Sequence, residues 1–364
     1  MRLGIVAYPG LGGSGVVAAD LAHRLALRGH AVVMLATRRP FRLPENSPVR
    51  FVQVELPNYP VFPGPLYTLS LAGALRRAAR EWGLEVIHTH YAIPHAAAAH
   101  LAASGAALVH TLHGTDVNLL GLDPAFREVT ALALQTAAGV SAVSHSLAAQ
   151  ARVVYGVHPV VIPNAVDPER FHPRPYLKSR YVEAGEAMLL HASNFRPIKR
   201  VPDIVRAFAK VVRRGVRARL VLLGDGPEKP HVERTVRELG VERHVTFLPP
   251  TQHPEEVIGA ADLFLLHSQE ESFGLAALEA LASGVPVVAA RVGGLSEVVR
   301  DGVTGRLVEL GDVEAQAEAI TALLTSPELP RMRRAAREDA VARFHPDSVT
   351  KRYEALYAEV LFKA

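Results

Sequence analysis

Along the 364 residues, short and nearly continuous apolar runs alternate with longer stretches whose apolar side chains recur at helical spacing. In the first half the runs are Leu3–Tyr8, Ala31–Thr37, Val49–Val54, Val86–His90, Ala107–Leu112 and Val140–Val143. In the second they are Met188–His191, Ala218–Leu223, Val245–Leu248, Asp262–His267 and Val285–Ala290. Runs this short and this apolar predict strands of parallel sheets covered on both faces. Helices are predicted between them: Val16–Arg28, ended by Gly29; Leu66–Trp82, with Leu69, Ala72, Leu75, Ala79 and Trp82 on one face; and an alanine-rich helix after His95. Further on come Pro202–Arg214, Leu275–Ser283 (ended by Gly284, with Pro286 as a stop), and two final helices, the last spanning about Pro346–Phe362.

This alternation in both halves predicts an α/β chain of two doubly wound, Rossmann-like domains. Between them, Tyr155–Pro175 carries Pro159, Pro163, Pro168, Pro173 and Pro175. That density argues against regular structure and for a stiff connection.

Polar clusters follow the carboxyl ends of several strands, where open α/β sheets bind ligands. Glu271 is predicted in the loop after Asp262–His267, and Glu279 on the helix that follows. A carboxylate accepts two hydrogen bonds side by side, so each suits a diol; as solvated charges they would need no ligand. Gly274 opens that helix, where free N–H groups favour a phosphate. After Met188–His191 stand Arg196 and Lys199, a planar fork and a compact charge suited to a diphosphate. Cations at a helix start are otherwise unfavourable. Arg200 is expected to point to solvent. The turn Gly224-Asp225-Gly226-Pro227 is either plain or a place where a ligand approaches the backbone.

The first half offers His90-Tyr91-Ala92-Ile93-Pro94-His95 and His113-Gly114-Thr115-Asp116. Any single histidine here reads more readily as a structural one; their repetition after successive strands is what favours function. Asp116 is expected to cap the next helix, and Ser144 to cap another. The histidines lack the carboxylate spacing of a metal site, so none is expected. Gly10, Gly12 and Gly15 satisfy the G-x-G-x-x-G pattern, which makes an NADP-dependent dehydrogenase a competing reading. Thr37, Arg38 and Arg39 offer no carboxylate for a ribose, although the arginines would suit a 2′-phosphate.

Glu271 and Glu279, with Ser272-Phe273-Gly274-Leu275 between them, resemble the motif of the retaining GT-B glycosyltransferases of family 4. The resemblance extends over essentially the whole chain, through Gly12-Gly13-Ser14-Gly15, the His113 cluster, Pro163–Asp167 with Phe171 and Pro173, and Arg291–Glu297. It implies two Rossmann-like domains facing across a cleft: residues 1–165 on the acceptor side, a linker over 166–186, and a nucleotide-sugar-binding domain over 187–345. The final helix, about residues 346–364, would pack back on the first domain. It implies His113, Glu271, Arg196 and Lys199 as the catalytic group. Gly13, Ser14, Gly15, Asn194, Gly224, Phe273, Gly274, Leu275 and Glu279 would join Arg196, Lys199 and Glu271 around the donor, with Glu271 at its sugar and Glu279 at the ribose. The acceptor would attack the face that the phosphate leaves, a donor phosphate oxygen taking its proton. No cofactor and no metal is implied.

Within the family, Tyr8-Pro9, Pro40-Phe41-Arg42-Leu43, His90–His95 and Ser193–Arg196 are similar to the subgroup that moves N-acetylglucosamine from UDP-N-acetylglucosamine to the hydroxyl of L-malate, the first step of bacillithiol biosynthesis. Asn164-Ala165-Val166-Asp167 departs from that subgroup toward the general family pattern. For a small dianionic acceptor, Ser14, Tyr91, Thr111 and Thr115 are candidate hydroxyl donors and Arg42 a candidate charge. Another acceptor, such as inositol phosphate or a lipid-linked sugar, and a non-catalytic nucleotide-sugar sensor are the alternatives.

Composition changes little in this picture. With 49% hydrophobic and 21% charged residues the chain is ordinary for a globular protein. Forty basic against 36 acidic residues, net +4, is too even to argue for nucleic acid and suits an anionic small molecule. The absence of cysteine excludes disulfides and thiolate metal sites. Ala92–Leu112, broken by Pro94, His95, His100 and His110, is a poor membrane span, and Met1–Ala7 reads as a strand rather than a leader. A soluble cytoplasmic protein is expected, and nothing decides between a monomer and a homodimer.

Overall fold

The structure, a computed structural model, describes residues 1–10, 13–62 and 64–363. It divides into two compact units, Met1–Ala165 with Pro346–Ala364, and Val166–His345. Gly12, part of the glycine-rich loop, lies outside the described residues.

In the first unit the chain runs β1 (Arg2–Val6), α1 (Gly13–Leu27), β2 (Ala31–Ala36), β3 (Arg50–Gln53), α2 (Tyr67–Trp82), β4 (Val86–His90) and α3 (Ala92–Ala102). It continues through β5 (Ala107–Leu112), α4 (Thr115–Asn118), α5 (Pro124–Gln135), β6 (Gly139–Ala142), α6 (His145–Tyr155) and β7 (Val160–Val161). The second unit holds β8 (Ala187–Ser193), α7 (Val201–Arg213), β9 (Ala218–Gly224), α8 (Lys229–Leu239), β10 (Val245–Leu248), α9 (Pro254–Ala260) and β11 (Leu263–Leu266). After these come α10 (Leu275–Ala282), β12 (Val287–Ala290), α11 (Leu295–Val298), β13 (Gly305–Val308), α12 (Val313–Thr325) and α13 (Leu329–Phe344). The last helix, α14 (Pro346–Lys363), belongs to the first unit.

Each unit is one parallel sheet, ordered β3-β2-β1-β4-β5-β6-β7 in the first and β10-β9-β8-β11-β12-β13 in the second. Strand order therefore reverses between β1 and β4, and again between β8 and β11. These are the places where ligands enter such sheets. Alternation explains the apolar runs. Leu3, Ile5 and Met34 face α1 and α14, where Leu25, Tyr353, Tyr357 and Val360 cover them. Val6, Val33 and Leu35 face α2 and α3, against Leu71, Leu75 and Ala99. Leu189, Leu220, Leu222 and Leu265 do the same in the second unit beneath Ile204, Val205, Phe208 and Val211 of α7. Each such side chain contributes about 1.5–3 kcal/mol by leaving water. Among the described residues no helix is long and apolar enough to cross a membrane.

Three local expectations change. Helix α1 begins at Gly13 rather than Val16, so Gly13, Ser14 and Gly15 form its first turn. A Cβ at Gly15 would lie 2.3 Å from the Tyr8 carbonyl oxygen, which is why only glycine lets the helix start so close to β1. The proline-dense stretch is not devoid of regular structure: Val160–Val161 adds an edge strand to β6. Beyond it, residues 166–186 are tied to the second unit, through Arg174 N–H to the Gly259 carbonyl at 2.8 Å and a Lys178–Asp262 ion pair at 2.6 Å.

Candidate active site

In the second unit two loops meet at the reversal point. The β8–α7 loop carries Asn194, Arg196 and Lys199; the β11–α10 loop carries Ser268, Glu271 and Gly274. The Gln269 N–H donates to the Ile198 carbonyl at 2.8 Å, which joins the loops through their backbones. Lys199 Nζ sits 2.6 Å from Glu271 Oε1, and Ser268 Oγ donates to the same oxygen at 2.9 Å. The Gly294 N–H, from the loop after β12, donates to the Glu271 carbonyl at 2.8 Å and fixes its backbone. Arg196 and Asn194 are exposed, while Glu279 is half-buried in α10.

Beneath these loops His191 braces the two strands. Its Nδ1–H donates to the Leu265 carbonyl at 2.8 Å, and its Nε2 accepts from Ser193 Oγ at 2.8 Å. Burial holds its pKa down to about 4, with the charge of Lys199 pushing the same way, so the brace is a neutral ring. Gly224 pairs with Ser193 at the end of β9, which brings the Gly224–Pro227 turn against Ser193 and Asn194.

Several readings need correction here. Arg200 does not reach into solvent; it is half-buried and pairs with Asp203 at 2.6 Å. Phe273 turns inward, edge-on against Phe344 at 5.7 Å, so its ring is a core group. Gly274 caps α10 at φ +92°, and a Cβ there would lie 2.4 Å from Leu295 Cδ2. The packing of Leu295 thus requires glycine before any ligand is considered. The first N–H groups of α10 remain without helical partners, as at any helix start.

In the first unit the polar groups gather beyond β1, β4 and β5. Tyr8 donates to the Ile93 carbonyl at 3.2 Å and packs against His95 and Tyr91. His95 Nε2 meets Tyr67 Oη at 2.9 Å. His113 is half-buried, and its Nε2 lies 3.0 Å from His90 Nδ1. Burial and the neighbouring His95 lower the pKa of His113 to about 3. Tyr91 and Thr115 share a hydroxyl–hydroxyl hydrogen bond, while Ser14 stands in the first turn of α1 and Arg42 is half-buried beyond β2. Among the described residues no group of three or more His, Cys, Asp or Glu is placed to hold a metal ion.

Two first-unit readings also change. Thr111 is fully buried within β5, its hydroxyl engaged by His88 Nε2 and Ser141 Oγ, each at 2.7 Å, and is closed to an acceptor. Asp116 does not cap α4. Its carboxylate accepts from the N–H groups of Gly114 at 2.7 Å, His113 at 3.1 Å and Ala92 at 2.9 Å, tying the loop after β5 to the one after β4. Sequence reasoning gives no role of its own to His90 or to Ser268. The signal for Ser268 is its place three residues before Glu271; the pairing of His90 with His113 emerges only with the strand order, which sets β4 beside β5.

Comparison with known proteins gives the family. Residues 11–170 match the model of Glycosyltransferase Family 4, and residues 177–339 that of Glycosyl transferases group 1. The chain is similar to N-acetyl-alpha-D-glucosaminyl L-malate synthase of Bacillus anthracis, at 40% identity over 99% of this chain and 97% of that one. Among solved structures it is similar to sucrose-phosphate synthase from Thermosynechococcus elongatus, with a TM-score of 0.85 at 23% identity over the whole of both chains. It is also similar to Anabaena HepE in complex with UDP and glucose, with a TM-score of 0.83 at 20% identity over 98% of this chain and 99% of that one. At such identities these two speak for the GT-B fold alone. The full-length relationship and the two family matches place the chain in glycosyltransferase family 4, a family of retaining hexosyltransferases.

Proposed function

We propose that this enzyme transfers N-acetylglucosamine from UDP-N-acetylglucosamine to the hydroxyl of L-malate, the reaction that opens bacillithiol biosynthesis. The observation that carries the donor half is the Lys199–Glu271 contact at the β8/β11 reversal, which sets a cation and a carboxylate side by side at the mouth of the sheet. The acceptor half is supported by full-length similarity to an enzyme named for L-malate.

In this reading Arg196, Lys199 and the first N–H groups of α10 hold the diphosphate as its charge grows on bond cleavage. Glu271 accepts from the sugar hydroxyls and Glu279 from the ribose, while Gly13, Ser14, Gly15, Asn194, Gly224 and Leu275 border the donor. His113 contacts the donor sugar. Ser14, Arg42, Tyr91 and Thr115 receive the acceptor. The hydroxyl attacks the face from which the phosphate departs, and a phosphate oxygen takes its proton, so the product keeps the donor's configuration.

The test is incubation with UDP-N-acetylglucosamine and a panel of acceptors including L-malate and inositol phosphate. Mass detection identifies the product, and the anomeric coupling constant gives its configuration. A malate glycoside with retained configuration is expected. Transfer only to another acceptor overturns the malate assignment; inversion overturns the mechanism.

A further inference from the structure

Ser268 follows β11 and is fully buried. Its backbone is pinned on both sides. The preceding residue, His267, accepts at Nε2 from the Gly311 N–H at 3.0 Å, which ties the strand end to the loop before α12. The following residue, Gln269, donates its N–H to the Ile198 carbonyl at 2.8 Å, in the loop before α7. The Ser268 hydroxyl is therefore a donor with a fixed origin.

That donor lands on Glu271 Oε1 at 2.9 Å, the oxygen that also receives Lys199 Nζ at 2.6 Å. A carboxylate oxygen offers two lone-pair sites, so Oε1 is full. Oε2 accepts from no group among the described residues, and the Glu271 side chain keeps 14% of its surface exposed. Lys199 alone would not fix the carboxylate, because a flexible four-carbon stem follows the group it pairs with. A second donor from a pinned, buried serine does fix it.

We propose that Ser268 is a positioning residue for the nucleotide sugar: by filling Glu271 Oε1 together with Lys199, it leaves Oε2 as the one carboxylate oxygen that accepts from the sugar's hydroxyls. This deepens, and rests on, the reading of Glu271 as the contact to the donor sugar. The side-by-side grip that a free carboxylate offers a diol is closed here, since one of its two oxygens is taken. In exchange, Oε2 stands ready, and the sugar does not have to order the side chain when it binds.

The experiment uses the full-length protein as wild type and Ser268→Ala, which removes the hydroxyl and adds no bulk. Crystal structures without ligand report the Glu271 rotamer. Calorimetric titration without acceptor gives Kd for UDP, for UDP-N-acetylglucosamine and for its 3-deoxy, 4-deoxy and 6-deoxy sugar analogues. Retained UDP binding shows that the variant is folded. In the wild type Glu271 should hold one rotamer, with Oε1 on Ser268 and Lys199; in Ser268→Ala it should shift or split. Kd for UDP-N-acetylglucosamine should rise by about tenfold, and Kd for UDP, which carries no sugar, by less than about twofold. With the analogue that lacks the hydroxyl read by Oε2, the tenfold rise should also shrink to less than about twofold. A single unmoved rotamer in Ser268→Ala overturns the proposal, whatever the donor proves to be. Equal losses for UDP and UDP-N-acetylglucosamine, or a loss that persists with all three analogues, overturn its role at the sugar. The rotamer is read without a ligand, so this proposal and the donor reading fail separately.

Discussion

Lys199 and Glu271, 72 residues apart in sequence, meet at 2.6 Å across the two central strands of the second unit. Ser268 adds a second donor to the same carboxylate oxygen. The ammonium is thereby held in place at the strand ends instead of sampling the rotamers of an exposed lysine. Lys199→Ala is expected to lower turnover by about a hundredfold through the loss of one prearranged cation. The same change should lower the thermal midpoint by only about 2–4 °C, because a half-buried pair contributes roughly 1 kcal/mol. Steady-state kinetics beside a thermal melt separates the effects. Unchanged kinetics in a folded variant removes Lys199 from the mechanism.

Gly274 and Leu295 make a sharper steric test. An alanine at residue 274 meets both a left-handed backbone, φ +92°, and Leu295 Cδ2 at 2.4 Å. Gly274→Ala is expected to destabilise the protein by about 2–4 kcal/mol. Leu295→Ala in the same chain should relieve the clash, leaving the backbone strain, about 1–2 kcal/mol, together with the cavity of the shortened side chain. Leu295 is fully buried, so the single Leu295→Ala variant, itself destabilised by its cavity, is the necessary fourth corner of the cycle. A coupling of zero by urea denaturation would show that the two positions do not touch.

The strands were legible because each apolar run buries both faces, as β1 shows: Ile5 packs under α14 and the next residue, Val6, under α2. Glu271 and Lys199 were legible because polar residues at strand ends stand out against those runs. Strand order is what sequence withholds. Without knowing that β4 lies beside β5, Thr111 reads as a surface hydroxyl when it is fully buried against His88 and Ser141, and His90 has no reason to be paired with His113. Tyr353 and Tyr357 arrive from the far end of the chain to cover this ladder. Asp116 reads as a helix cap for the same reason, since one of its three backbone donors, Ala92, follows the neighbouring strand.

The first unit should be unusually sensitive to mild acid. His95 is held down to about 4 and His110 and His113 to about 3, with burial as the leading cause. His88 and His90 lie well below the ordinary value for the same reason. Below about pH 6.5 the unfolded chain takes up protons on these rings that the folded chain does not. Their stabilising contribution is therefore fully present above pH 6.5 and lost as pH falls, by up to about 1.4 kcal/mol per group per pH unit. Asp116, raised by burial, runs the other way, its contribution present at low pH and lost as pH rises through its folded value; it is one group against five. The unfolding free energy in urea should be nearly flat from pH 8 to 7 and fall steeply from 6.5 to 5.5. His110→Asn should reduce that slope by about one proton's worth. A slope that stays flat down to pH 5.5 means these rings are already solvated in the native state.

Asp116→Asn tests whether one carboxylate holds two loops together. Oδ1 accepts from Gly114 and His113, and Oδ2 accepts from Ala92. An amide keeps one acceptor and turns the other into a donor, which then faces an N–H. Either the His113 loop or the Ala92 turn must be released. The buried N–H left without a partner should cost about 1–3 kcal/mol, seen as a lower urea midpoint at unchanged slope. Turnover should fall further than stability does, since the freed loop carries His113, Tyr91 or both. Asp116→Glu, one methylene longer in a fully buried site, should not restore either property. A variant with an amide at this position that melts and turns over like the wild type would mean the loops are held by their own backbones, and that the carboxylate is a passenger.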